Sequence, residues 1–241
     1  MKILHITKKY PNTLGGDAVV VENLEKKQLE AGHEVIILTS NCVDTINKPQ
    51  VYKTGLLSTS LILDKITLKR LISLVMLFFT AIKVIRIQRP DIIHTHSVDM
   101  AFVTSIIAKI YKTPTVHTFH ILTFNDVNQT YLRRKIELIL LRGADPRIIT
   151  APNENDVNAL KMKGFAQATT VSNGIDLNYW KFDPYVKDNE IYTFLSVGRL
   201  EVQKGFIFLI EAARILSNSN INFKVVIVGE GSIESTLQSM I

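Results

Sequence analysis

Along the chain, short apolar runs alternate with longer stretches in which apolar residues return every three or four positions, as strands alternating with helices require. Lys2 to Thr7 reads as a buried strand. Val20, Val21 and Leu24, with the Lys27 stem and Gln28, predict a helix from Ala18 to Ala31 that Asp17 caps and Gly32 stops. Glu34 to Thr39 is the next strand, and a short one is expected near Val51. A long helix is predicted from Leu63 to Gln88, a strand around Ile92-Ile93, a helix over Val98–Tyr111 and a strand near Thr115-Val116. Then come a loop from Ile121 to Tyr131, a helix Ile136–Leu141 opened by Arg133-Arg134-Lys135, a strand Arg147–Ala151 and a helix Glu154–Lys163. After a linker, Asn178 to Tyr192, the pattern restarts with strand Thr193–Val197, a helix from near Lys204, strand Phe223–Val228 and a helix from Ile233. Strands regularly separated by helices predict an α/β fold with parallel sheets. The restart divides the chain into residues 1–178, one Rossmann-like domain, and 179–241, the linker with the first part of a second.

The long helix departs from ordinary amphipathicity. Lys65, Lys69, Ser73, Thr80 and Lys83 form a narrow polar stripe, and almost everything else is apolar, including Phe78 and Phe79. Either the helix is buried against the sheet with its lysines reaching water, or part of it lies at a lipid interface. There Lys65, Lys69, Arg70, Phe78, Phe79 and Lys83 would meet anionic head groups. The uncharged run Leu71–Ile82 is too short to cross a bilayer.

Charge sharpens that choice. The net charge is +6; residues 1–178 carry +7 and residues 179–241 carry −1. A basic first domain suggests an anionic partner, and a membrane surface fits better than nucleic acid because no recognised nucleic-acid module is present. The single cysteine, Cys42, excludes a disulfide framework and a multi-cysteine metal site and suits a reducing compartment. The residues from Met1 offer too short an apolar run for a secretory signal, so a cytoplasmic or peripheral membrane location is expected.

Candidate chemistry sits at strand ends. Gly15-Gly16 follows the first strand and permits close approach of backbone to a ligand, although a plain strand-to-helix turn would read the same. His94 and His96, two apart, share one side of their strand, with His96 reaching the carboxyl end; further ligands at zinc spacing are wanting. His120 follows a strand, and His117 lies within it on an uncertain face. Gly198-Arg199-Leu200 and Lys204-Gly205 join a strand to a helix start, where N–H groups and two cations would suit a diphosphate. On spacing alone the stretch reads equally as a solvated loop.

The same residues resemble the signature of glycosyltransferase family 4, retaining enzymes of the GT-B architecture with two Rossmann-like domains. The likeness runs through Gly15-Gly16, Pro90-Asp91-Ile92-Ile93-His94-Thr95-His96, the Pro114 to His120 stretch, Gly143-Ala144-Asp145, Asn173-Gly174-Ile175-Asp176, Gly198 to Gly205 and Gly229-Glu230-Gly231. Pro152 stands where the family usually has Ser, leaving Asn153 to cap the next helix. The resemblance implies a UDP-, GDP- or ADP-linked sugar donor, no cofactor and no metal. It implies catalytic roles for His120, Arg199 and Lys204, and donor contacts from Gly15, Gly16, Gly198, Arg199 and Lys204. Asp17, His96 and Asn173 fall on the acceptor side or the cleft.

A complete family member continues for more than roughly another hundred residues on domain-size grounds, and that part carries a Glu, seven residues and a second Glu that hold the donor sugar and ribose. Residues 179–241 hold no such pair, since Glu230 and Glu234 are too close together. The implied reading is a chain cut within its second domain and inactive alone, with apolar surface exposed at Val225, Val226, Ile227 and Leu209. Two rivals remain: an epimerase of the same two-domain shape, and a non-catalytic module that binds an acceptor or a membrane.

Overall fold

The computed structural model describes residues 1–10, 16–41, 50–54, 68–126, 129–145, 147–181 and 191–241. Its first strand, β1 (Lys2–Lys9), is buried on both faces, as the centre of a parallel sheet must be. Around it are α1 (Gly16–Glu30), β2 (Glu34–Asn41), β3 (Val51–Lys53), α2 (Leu68–Gln88), β4 (Ile92–Thr95), α3 (Val98–Tyr111) and β5 (Thr115–Thr118). A 3₁₀ turn at Thr123–Asn125 leads to α4 (Tyr131–Gly143), β6 (Ile149–Ala151), α5 (Glu154–Met162) and β7 (Thr169–Thr170). All seven strands pair in parallel, in the order β3-β2-β1-β4-β5-β6-β7. The order reverses between β1 and β4, and such switch points open a crevice beyond the carboxyl ends of the strands.

Alternation along the strands assigns the faces. Leu4 and Ile6 of β1, Ile36 and Leu38 of β2 and Ile93 of β4 pack with Leu77, Ala81, Val84 and Ile85 of α2 and with Met100, Val103 and Ile107 of α3. On the opposite face, Val35 and Ile37 pack with Tyr10 and with Val21 of α1. A third cluster joins Val98 and Ala101 of α3 to Phe119, Leu122, Phe124, Leu141, Ile149 and Leu160. Asn153 caps α5, its side chain accepting the Asp156 N–H at 2.8 Å.

Four local readings change. Asp17 stands inside the first turn of α1 rather than ahead of it. The helix opened by Arg133-Arg134-Lys135 starts at Tyr131, because Thr130 supplies the cap. Ser73, read as part of a narrow polar stripe, is buried on the line Ser73, Leu77, Ala81 and Val84 that faces the sheet. The outward line of α2 is instead Ile72, Val75, Phe79, Lys83 and Arg86. Phe78 leans onto the core and Phe79 points out, 64% exposed. Lys65 lies outside the described residues, as do the side chains of Lys69 and Arg70. Among the described residues no helix is long and apolar enough to cross a membrane.

The chain divides into two units, Met1–Ile175 and Asp176–Ile241. The second holds β8 (Tyr192–Val197), a 3₁₀ turn (Val202–Lys204), α6 (Phe206–Leu216), β9 (Phe223–Val228) and α7 (Glu234–Ser239), with β8 and β9 parallel. Its buried apolar residues are Leu200, Phe206, Ile233 and Leu237, with Leu209 and Ile227 half-buried against them. The exposed apolar surface therefore lies less on β9 and Leu209 than on β8 and the outer side of α6, at Phe194, Leu195, Val197, Phe208 and Ile215.

Candidate functional site

In the first unit, strand register gathers histidines at the switch point. His5 of β1 pairs with His94 of β4, so the two share a face, and His96 continues that face two residues on. Across β5 the pairing is His94 with Val116 and Thr95 with His117. Thr118 therefore falls on the side of His94, and His117 on the opposite side beneath α3. Parity also brings His120 back to the side of His96. Helix α1 covers this side and lends Gln28.

The contacts follow the faces. His5 Nε2 lies 2.8 Å from Gln28 Oε1 and His5 Nδ1 lies 2.9 Å from His96 Nε2. His96 Nδ1 lies 3.2 Å from His120 Nε2, and His94 Nε2 meets Thr118 Oγ1 at 2.7 Å. Ring centroids of His94 and His96 are 4.3 Å apart. His5 and His96 are buried, while His94 and His120 keep part of their surface. Burial holds His94 and His96 well below the ordinary histidine range, with neighbouring imidazoles adding to the effect. His5 is lowered by the same desolvation, against opposing pulls from Gln28 and Glu25. His120 is lowered by burial and pulled back by the charge of Asp17. The array is thus a set of neutral imidazoles, each able to donate one hydrogen bond and accept one.

On the other face His117 is wholly buried and is lowered to about 4 by desolvation, opposed by Asp145. It bonds Thr95 Oγ1 at 2.7 Å and Ser105 Oγ at 3.2 Å. Asp145 in turn donates its N–H to Ser105 Oγ and receives Arg147, whose hydrogen bonds lower its carboxyl below the usual range. His117 is therefore part of the packing beneath α3, and His120 is the histidine delivered to the strand end. The segment after it is anchored by Glu137 of α4, which accepts from Thr123 Oγ1 and from the Phe124 N–H. Burial raises that carboxyl.

His5 and Gln28 carry no local motif. What brings them to His96 is the pairing of β1 with β4 and the packing of α1 across both, and a single strand does not reveal its register. With His5 added, one ring nitrogen from each of His5, His94 and His96 lies within 4.8 Å of the other two, the third nitrogen that strand spacing alone did not offer. Of the glycine pair, Gly15 lies outside the described residues. Gly16 is the first residue of α1, and a Cβ there would meet open space. Asn173 is exposed after β7.

In the second unit the Gly198–Gly205 loop is held both by its own backbone bonds, Glu201 N to Arg199 O, Lys204 N to Glu201 O and Gly205 N to Val202 O, and by its neighbour. Gly198 N donates to Val228 O, Leu200 N to Glu230 O and Ile233 N to Leu200 O, all within 3.1 Å. Ser232 Oγ donates to Glu201 Oε2. A Cβ on Gly229 would lie 1.8 Å from Gly198 O and one on Gly231 2.3 Å from Leu200 O, so both positions require glycine. Gly205, at φ +73°, makes the left-handed turn that starts α6 one residue after Lys204. Arg199 and Lys204 are both exposed, and among the described residues neither side chain is held in an ion pair. The result is a loop of fixed backbone carrying two available cations beside a helix start, an arrangement suited to phosphate oxygens.

The comparisons extend over both units. The family model for Glycosyltransferase Family 4 matches residues 14–179, and that for Glycosyl transferases group 1 matches residues 181–241. A glycogen synthase of Mycobacterium tuberculosis is 30% identical over 154 residues, 61% of this chain and 37% of the relative. An Escherichia coli UDP-Gal:alpha-D-GlcNAc-diphosphoundecaprenol alpha-1,3-galactosyltransferase is 26% identical over 174 residues, 65% of this chain and 44% of the relative. The alignments thus span less than half the length of these relatives. Among solved structures, a sucrose-phosphate synthase from Thermosynechococcus elongatus superposes over 100% of this chain and 68% of its own, with a TM-score of 0.73 at 14% identity. The lipopolysaccharide outer core galactosyltransferase WaaB gives 0.68 at 15% identity over 100% and 64%. The Anabaena HepE protein in complex with UDP gives 0.68 at 16% over 100% and 65%. The parallel sheet with its β1/β4 switch and the strand–loop–helix unit that follows are the GT-B fold, and with the family model covering most of its length the chain belongs to glycosyltransferase family 4.

Proposed function

We propose that the protein is a retaining glycosyltransferase that moves a hexose from a nucleotide-sugar donor, UDP-, GDP- or ADP-linked, to a lipid-linked or saccharide acceptor. The observation that carries the reading is the Gly198–Gly205 loop, backbone-locked against Gly229 and Gly231 and presenting Arg199 and Lys204. The Escherichia coli relative is named as a galactosyltransferase using UDP-Gal, and the Anabaena protein of the same fold was crystallised with UDP. In this scheme Arg199 and Lys204 stabilise the diphosphate as its bond to the sugar lengthens. The leaving β-phosphate takes the acceptor proton, Gly15 and Gly16 offer backbone N–H groups, and His120 orients the sugar. Asp17, His96 and Asn173 border the acceptor side. No metal or cofactor is needed for these roles. The outward line Ile72, Val75, Phe79, Lys83 and Arg86 of α2 supports docking on the cytoplasmic face of an anionic membrane, where a lipid-linked acceptor would lie.

Residues 179–241 hold no Glu pair for the donor sugar and the chain is expected to be inactive alone, so the test is run on this chain and on one extended downstream. It measures transfer of labelled hexose from each donor to lipid extract and to soluble saccharide by the extended chain, in the presence of anionic or neutral vesicles. Arg199→Ala is expected to lower the rate on the order of a hundredfold, and Phe79→Asp to abolish the advantage of anionic vesicles alone. A product with inverted anomeric configuration, or an Arg199→Ala rate equal to the parent, would refute the reading.

A further inference from the structure

We infer that Gln28, His5 and His96 are positioning residues that lock His120 in one tautomer, Nε2–H protonated and Nδ1 a bare acceptor, through a hydrogen-bond relay running from α1 to the end of β5. One end of the relay is fixed. An amide oxygen accepts and never donates, so the 2.8 Å contact from His5 Nε2 to Gln28 Oε1 places a hydrogen on His5 Nε2. A neutral imidazole carries one N–H, so His5 Nδ1 is a lone pair, and the 2.9 Å contact obliges His96 Nε2 to donate to it. His96 Nδ1 is then an acceptor, and His120 Nε2, 3.2 Å away, donates to it. His120 is left with Nδ1 as an acceptor, suited to receive a hydroxyl hydrogen and unable to receive a carbonyl.

Two features keep the relay in a single state. His5 and His96 are 0% and 5% exposed, so no water competes for the inner contacts. Charging His5 or His96 would set two donors against each other in a buried space, a cost the neutral chain avoids. The same nitrogens are poorly arranged for a shared metal. Two ligands of one tetrahedral zinc, at about 2.0–2.1 Å each, stand roughly 3.3 Å apart. The His5–His96 nitrogens stand at the distance of a hydrogen bond, 2.9 Å. His94, the third candidate ligand, already has its Nε2 on Thr118.

What His120 faces rests on the proposed function; its tautomer does not. Long-range ¹H–¹⁵N spectra of the labelled chain, assigned with His120→Gln, read the protonated nitrogen of each ring directly. The expected result is Nε2–H at His5, His96 and His120. Gln28→Glu, which keeps an acceptor in place, should preserve the pattern, and Gln28→Leu should bring both His120 tautomers to comparable populations. A His120 protonated on Nδ1 in the parent chain overturns the inference, whether or not the Leu variant folds. So does a folded Gln28→Leu chain with the His120 pattern unchanged, or stoichiometric zinc uptake that displaces the His5–His96 signals. Adding UDP-glucose, GDP-glucose and ADP-glucose separates the two claims. An intact relay whose His120 signals ignore all three donors counts against the proposed function and leaves the relay standing.

Discussion

At single positions, glycines separate packing from chemistry. Gly229 and Gly231 have carbonyl groups of the facing loop where a side chain would begin, whereas Gly16 has empty space and lies at the start of a helix. Gly229→Ala is therefore expected to destabilise the second unit by about 1–3 kcal/mol, the usual cost of forcing atoms into a filled site, and to free the backbone around Arg199. Gly16→Ala should leave thermal stability within about half a kcal/mol and weaken donor binding, because only an approaching ligand would feel the added methyl. Melting curves paired with donor titration separate the two; equal loss of stability in both variants would show that Gly16 serves packing. Residue by residue, the sequence made His94, His96, His120 and the Gly198–Gly205 stretch legible, because each carries a local pattern at a strand end. His5, Gln28 and the face of His117 were not, because each depends on which strand lies alongside and in what register. Gly229 and Gly231 show the same limit. Their role comes from a carbonyl about thirty residues away in the chain.

At the level of elements, the cost of the histidine array appears as acid sensitivity. His5, His94, His96, His117 and His120 all sit below their ordinary value in the fold, chiefly through burial. In the unfolded chain they bind protons as pH falls through the ordinary histidine value of 6.5, while the folded chain resists. Unfolded protein then holds more protons, so stability is full above that pH and is lost as pH falls towards the folded values. For His117, whose window runs from 6.5 to about 4, the loss is ~3 kcal/mol. Glu137 runs the other way: burial raises its carboxyl, so its protonation in the fold offsets part of the loss just above pH 4.5. Urea midpoints for the first unit should be level above pH 7 and fall steadily from pH 6.5 to 5, with a shallower fall in His117→Gln. A midpoint that rises on acidification would mean the rings are charged in the folded state. Helix and strand placement was largely readable because buried parallel strands are continuous apolar runs. Helix α2 misled because its polar residues mark its outer face only in part: Ser73 turns inward, while Ile72, Val75 and Phe79 turn out beside Lys83.

Across the whole molecule the two units differ in how much core they own. The first has a seven-stranded sheet with clusters on both faces, drawing on α1 through α5. Among the described residues the second has two strands and a cluster of four buried residues, and β8 leaves Phe194, Leu195 and Val197 exposed. Buried apolar area sets how much free energy opposes opening, at about 25 cal/mol per Å², and backbone amides in a thinly covered sheet exchange through local opening. Amide hydrogens of β8 and β9 are therefore expected to exchange orders of magnitude faster than those of β1, β2 and β4. Urea should melt the second unit before the first, giving non-coincident transitions by probes placed in each. The groove lined by Ile210, Ala213, Phe223, Val225 and Ile227 should bind an apolar dye in the native state and lose it at the first transition. Protection of β9 equal to that of β1 would mean that its sheet is covered in solution, for example by a second copy of the chain. Dilution would then decide, since protection that comes from association falls with concentration and protection that comes from the fold does not.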